Sequence, residues 1–322
     1  MASFDKDQNW FGRRKRPLLR VRLLGNLGGY PEGDIWLDDV FYHGSSDGCF
    51  LVTRGMTWDH YVADLGHDEF DWPLPKEVML MGAMIMCERP DEPAPRFYPM
   101  ARHVFVLDES NTTLTSEEGR AAIVNLVKSR QQWPGNWSSH ASTDLWRSSQ
   151  HSVFPSSALD LGRLQRIFGL LRPDQFVLMR GITGLIKSDM LARHGEFGAE
   201  SLMSLYISMD CSHQLILQVL RDRGAESPSS ADAAAWLHEN FDRHFGHDEP
   251  APGTNYLAEF YQGRVVAFHP RSKFGDYPFA PNFWDDVIHL RRLLSMVFGY
   301  IVTGEHSGDF WADVESHRAK WL

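Results

Sequence analysis

Cysteine is scarce in this chain: Cys49, Cys87 and Cys211 are the whole complement among 322 residues. An odd, widely spaced set with no C-x-x-C excludes a disulfide framework, a cysteine zinc ribbon and a dithiol redox centre. It reads as reduced, packed thiols and points to a cytoplasmic protein. Long apolar runs are also missing. No window approaches the roughly 18 apolar residues that a membrane-spanning helix needs, so no membrane association is expected. Residues 13–16 are basic, but Arg20 and Arg22 interrupt the apolar residues that follow, and a signal peptide is not expected. No G-x-S-x-G, no H-E-x-x-H and no phosphate loop occurs.

A surplus of positive charge is lacking as well. The formal net charge is −10, shared by both halves of the chain, which argues against an indiscriminate nucleic-acid coat. Contact with nucleic acid would have to use local patches. Two exist: residues 13–22, read either as a solvated lead-in to a strand or as a functional patch, and Arg271 with Lys273. Hydrophobic residues make up 43%, with 11 Trp and 20 Phe, enough to build a large aromatic-rich core.

The pattern along the chain predicts an α+β protein with a β-rich N-terminal domain over 1–112, a helix and linker over 113–158, and an all-α bundle over 159–322. Strands are predicted at Leu18–Leu24, Asp34–His43, Cys49–Thr57, Glu77–Cys87 and His103–Leu107, separated by Gly, Pro and Asp. Residues Gly25–Gly33 and Gly44–Gly48 both read as hairpin turns. Ser116 followed by two acids predicts a helix start. Beyond Ala158, helices are predicted at about 160–171, 174–194, 198–223, 231–244, 254–269, 282–304 and 308–320.

The candidate site lies in Tyr261–Pro270, Y-Q-G-R-V-V-A-F-H-P. On the predicted 254–269 helix, Tyr256, Phe260, Arg264 and Phe268 recur every four residues, so Arg264 stands on the apolar stripe. A guanidinium cannot shed its charge. Its burial requires a carboxylate, carbonyls or a bound anion. His269 lies about 140° around an ideal helix from Arg264. Pro270, however, biases residue 269 out of the helical region and frees the imidazole to turn toward the arginine. An anion bridging the two is one solution. The other is structural: Arg264 paired with Asp285 or Asp286, and His269 capping its own helix.

Arg-x4-His at the end of a late bundle helix, followed by a long final helix, resembles the HEPN superfamily over roughly 175–305. Many members are metal-independent endoribonucleases in which two bundles bring their motifs to one cleft. The resemblance implies a homodimer acting on RNA without a cofactor. His269 would be general base or acid for attack by a 2′-hydroxyl, and Arg264 would hold the phosphate. By position, Glu259 reads either as a group that orients Arg264 or assists His269 or as a solvated surface acid. Asp285 with His289, at i and i+4 on the next helix, reads either as a polar pair facing the same cleft or as an ordinary surface pair. Arg271 and Lys273, just after the motif, are the patch that would contact RNA. A toxin or defence effector fits that family, with the N-terminal domain meeting a protein partner or antitoxin. The chain departs from the active members at Val265, where a polar residue is usual. Other members are non-catalytic and serve dimerisation or partner binding, which is the alternative expectation here.

A metal site is not expected. His238, His244, His247, Asp248 and Glu249 straddle a predicted helix end and a loop without ligand spacing, and His67 to Asp71 fall in a loop. Asp38 with Asp39, and Asp285 with Asp286, read as solvated or capping acids rather than a glycosidase pair.

Overall fold

The computed structural model describes residues 18–26, 30–45, 48–54, 73–87, 97–108, 113–129, 155–156, 159–192, 197–246 and 283–321. The strands are β1 (Leu18–Asn26), β2 (Tyr30–Pro31), β3 (Gly33–Leu37), β4 (Val40–Ser45), β5 (Gly48–Arg54), β6 (Phe97–Asp108) and β7 (Pro155–Ser156). Helices α1 (Pro75–Ile85) and α2 (Glu117–Ser129) lie among them. Then follow α3 (Leu161–Leu170), α4 (Phe176–Ala192), α5 (Gly198–Asp222), α6 (Ser230–Asn240), a 3-10 turn (Asp242–Phe245), α7 (Phe283–Thr303) and α8 (Gly308–Trp321). The fold class is α+β, with a sheet near the N-terminus and a largely helical remainder.

Five strands form one antiparallel sheet in the order β3-β4-β5-β1-β6. Alternation along the strands sorts side chains onto two faces. Leu19, Val21 and Leu23 of β1 join Phe41, Phe50 and Val52, and pack under Ile123, Val124 and Val127 of α2. Leu24, Val40, Tyr42, Cys49 and Leu51 face the other way, into a core shared with α1 and with α3, α4, α5 and α7. Both faces are therefore covered, which explains why β4 and β5 read as continuous apolar runs rather than alternating ones.

Three local expectations need correction. Glu77–Cys87 does not form a strand; residues 75–85 are a helix whose side chains from Glu77 to Ile85 are all buried. A helix buried on every side has no polar stripe, so its 3.6-residue period is invisible. The residue types nevertheless favour a helix: Pro75 opens it, and Met79, Leu80, Met81, Ala83 and Met84 are unbranched at Cβ. Next, Gly25–Gly33 is no hairpin turn. Strands β1 and β3 are separated by β5 and β4, so this stretch is a connection across the sheet. On the way, Tyr30 and Pro31 pair in parallel with Pro155 and Ser156. Finally, Asp34–His43 is two strands, broken at Asp38, whose φ of 51° gives a left-handed turn. The hairpin at Gly44–Gly48 does form, with Ser45 opposite Gly48.

In the second half, α4 and α5 make the most intimate helix pair, because small residues line their contact. A Cβ on Gly184 would stand 2.2 Å from the Ser208 hydroxyl. Ser208 donates to the Gly181 carbonyl at 2.8 Å, and Ser188 and Ser201 share a buried hydrogen bond of 2.8 Å. Helix α6 starts from a Ser229 cap that accepts from the Asp232 amide, while Asp232 accepts from the Ser229 amide. It ends at Asn240, shorter than predicted, and the chain tightens into the 3-10 turn. A second core gathers Ile216, Trp236, Leu237, Phe241, Val297, Phe310 and Val314 beneath α8. No helix among the described residues is long and apolar enough to cross a membrane.

Candidate functional site

Glu259, Arg264, His269, Arg271 and Lys273 lie outside the described residues, as does the predicted 254–269 helix. Asp285 and His289 belong to α7, the helix that follows this segment in the chain. Asp285 sits in its first turn, and His289 is one turn on, exposed.

Helix α7 builds the surroundings. Val287, Leu290, Leu294 and Phe298 form its inward stripe and enter the main core. Arg291 stands on that same stripe, four residues after Val287, and is 2% exposed. Its guanidinium meets Asp189 of α4 in a two-pronged ion pair, Nε to Oδ1 at 2.5 Å and Nη2 to Oδ2 at 2.7 Å. The fork-to-carboxylate match compensates two charges that would otherwise be costly to bury, and it pins α7 to α4. Arg291 is thus committed to Asp189 and does not reach the surface as a phosphate ligand. On the outer side, Asp286, Ile288 and His289 are exposed. Tyr206 of α5 is buried nearby. Burial, helped by the Asp286 carboxylate, pushes its phenol up to about 12.

Within the basic segment 13–22, residues 13–17 lie outside the described residues, and the reading of Arg20 and Arg22 needs correction. Arg20 and Arg22 are fully buried, not solvated and not available to a polyanion. Both project from β1 toward α1, where Glu77 is fully buried too. Arg22 donates to Glu77 Oε2 at 2.6 Å, Arg20 Nε lies 3.3 Å from Oε1, and the Leu74 amide donates to Oε2 at 2.9 Å. Burial pulls the Arg20 guanidinium down to about 10. Glu77 opposes that shift and the like charge of Arg22 adds to it.

Other polar groups have structural partners. Asp39 binds Lys76 at 2.7 Å and Arg54 at 3.1 Å, tying the β3–β4 turn to α1, and the hydrogen bond from Lys76 foremost holds its carboxyl below the usual range. Cys49, Cys87 and Cys211 are buried and none is in a disulfide, and burial raises the Cys211 thiol. Among the described residues no three His, Cys, Asp or Glu converge as metal ligands. His238 is buried, and His244 packs on Trp311 with ring centroids 4.8 Å apart. His247, Asp248, Glu249 and His67 to Asp71 lie outside the described residues.

Sequence reasoning missed the Asp189–Arg291 pair, although its signal was of the kind that singled out Arg264: a permanent cation on an apolar helical stripe. It also missed Arg20 and Arg22, whose spacing of two in a predicted strand places both on one face. No family model matches the chain, and no curated protein or solved structure matches it.

Proposed function

We propose that the protein is a metal-independent endoribonuclease of HEPN type, acting as a homodimer in the cytoplasm, with a toxin or defence effector as its biological setting. The observation that carries this reading is Gly263-Arg-Val-Val-Ala-Phe-His-Pro, an arginine and a histidine five residues apart, closed by a proline and followed by the long helix α7. The helical second half of the chain supports it, as does the firm seating of α7 through Asp189 and Arg291.

In this reading His269 takes the proton from an RNA 2′-hydroxyl as that oxygen attacks the adjacent phosphorus. Arg264 binds the non-bridging oxygens and stabilises the charge that builds on them in the transition state. The 5′-oxygen leaves with a proton, giving a 2′,3′-cyclic phosphate and a 5′-hydroxyl. Asp285 and His289, at i and i+4 near the start of α7, are the supporting groups, and Arg271 with Lys273 guide the strand. The N-terminal sheet and its helices would meet a protein partner or antitoxin.

Purified protein is expected to cut single-stranded RNA in EDTA. Arg264→Ala and His269→Ala should each slow cutting by about a hundredfold or more, while the circular dichroism spectrum stays unchanged. Intact RNA, or equal cutting by the variants, removes the assignment. Val265 favours a second reading, a non-catalytic dimerisation or partner-binding protein. That reading predicts a stable dimer with no cleavage and no loss of dimer in either variant.

A further inference from the structure

Helix α8 rests lightly on the bundle. Only Phe310 and Val314 of it are buried among the described residues. Polar ties add to them, among them Arg292 to Asp313 at 2.5 Å and Arg318 to the His244 carbonyl at 2.9 Å. Immediately before this helix stands His306. Its ring stacks on Phe310 with centroids 3.8 Å apart and planes 12° apart, and on Tyr300 at 4.5 Å and 29°. Phe241, Trp311 and His244 present their edges at 5.0, 5.5 and 5.6 Å. Among the described residues the Nε2 atom of His306 is buried without a hydrogen-bond partner.

We propose that His306 is a proton-operated latch: protonating its ring releases α8 from the bundle and uncovers the aromatic core of Trp236, Phe241 and Tyr300. The neutral ring fits this slot as an aromatic plug. A charged ring would carry a buried N–H with no acceptor in view and would face like charge.

The charges around it do not offset that cost. From α3, Arg163 lies at the same corner; both its Nη atoms reach the Glu305 carbonyl at only 3.4 Å and its Nε is buried without a partner. From the 3-10 turn comes His244, a second imidazole. The acid beside it in the chain, Glu305, is held by Arg166 through two contacts of 2.5 and 3.1 Å. From α7 the Tyr300 hydroxyl is turned to Asn240 Oδ1 at 2.6 Å. From α8, Asp309 lies three residues on and His317 packs on Phe245 instead. Only the Asn240 backbone favours the cation.

Burial first, with His244 and Arg163 adding, lowers the His306 value from 6.5 to about 4. The released state holds the proton more tightly than the docked state. Docking is therefore undiminished above 6.5 and weakens as pH falls through the window from 6.5 toward 4. By linkage, the released-to-docked ratio rises about 20-fold between pH 7 and pH 5.

Hydrogen exchange read by mass spectrometry, corrected for the intrinsic pH dependence, tests this on the full chain. Peptides covering 308–321 should lose protection about 20-fold between pH 7 and 5 while those in α4 and α5 keep theirs. His306→Phe, which keeps the stack and cannot protonate, should abolish the change. Should that variant fail to fold, Arg163→Met provides a second route: removing that like charge raises the docked histidine's value toward 6.5 and should shrink the loss of protection at pH 5. Unchanged protection at α8, loss of α4 and α5 in step with it, or a His306 NMR titration at the ordinary value would each overturn the latch.

Discussion

Glu77 is the residue on which the join between sheet and helices turns. Its one carboxylate faces Arg20 and Arg22 and also accepts from the Leu74 amide at the start of α1. Removing its charge would leave two buried guanidinium groups without their shared counter-ion. Glu77→Gln should therefore cost about 3–5 kcal/mol, read as a lowered urea midpoint. Asp189→Asn should cost a similar amount through Arg291, whereas replacing Asp189 and Arg291 together by Leu and Met should cost far less than Asp189→Asn alone. A Glu77 variant as stable as the parent would show that the buried charges are balanced elsewhere. The spacing of two puts Arg20 and Arg22 on one strand face, although in the sequence they read as part of a solvated or functional patch. Their partner was not legible, because Glu77 sits 55 residues away inside an apolar run that gives no sign of which face it serves.

Among the elements, glycines separate close contact from open space. In α1, a Cβ on Gly82 would lie 2.6 Å from Ile182 Cγ2 in α4. Gly82→Ala should destabilise by about 1–3 kcal/mol, and most of that cost should vanish in an Ile182→Ala background. Gly169, in α3, meets nothing within 4 Å. Gly169→Ala should stabilise by about 0.5–1 kcal/mol through the unfolded chain, checked by the same denaturation curves. A Gly82→Ala variant as stable as the parent would show that α1 does not cross α4 at this point. The legible elements were those with a polar stripe: α3, α4, α5, α7 and α8 all lie within a few residues of the spacing-based prediction. Helix α1 was misread because burial on all sides erased its period. The segment Gly25–Gly33 was misread because turn chemistry reports a change of direction, not which strand the chain meets next.

Across the whole molecule, the sheet and the helical half share one apolar core through α1, so a partner meeting the N-terminal elements bears on the same body that carries α7. The Arg264–His269 motif lies outside the described residues, so its reading as a cation on an apolar stripe and an imidazole at a helix stop rests on spacing alone. What spacing could not give was which of several arginines serves structure: Arg291 occupies an equivalent stripe position and is locked to Asp189. The most direct measurement is made on a DNA oligonucleotide carrying a single ribonucleotide, incubated with the protein in EDTA. The account predicts one cut, 3′ to the ribonucleotide, leaving a 2′,3′-cyclic phosphate, and no cut with His269→Ala. Cleavage at deoxynucleotides, a different end group, or equal cutting by the variant would contradict it.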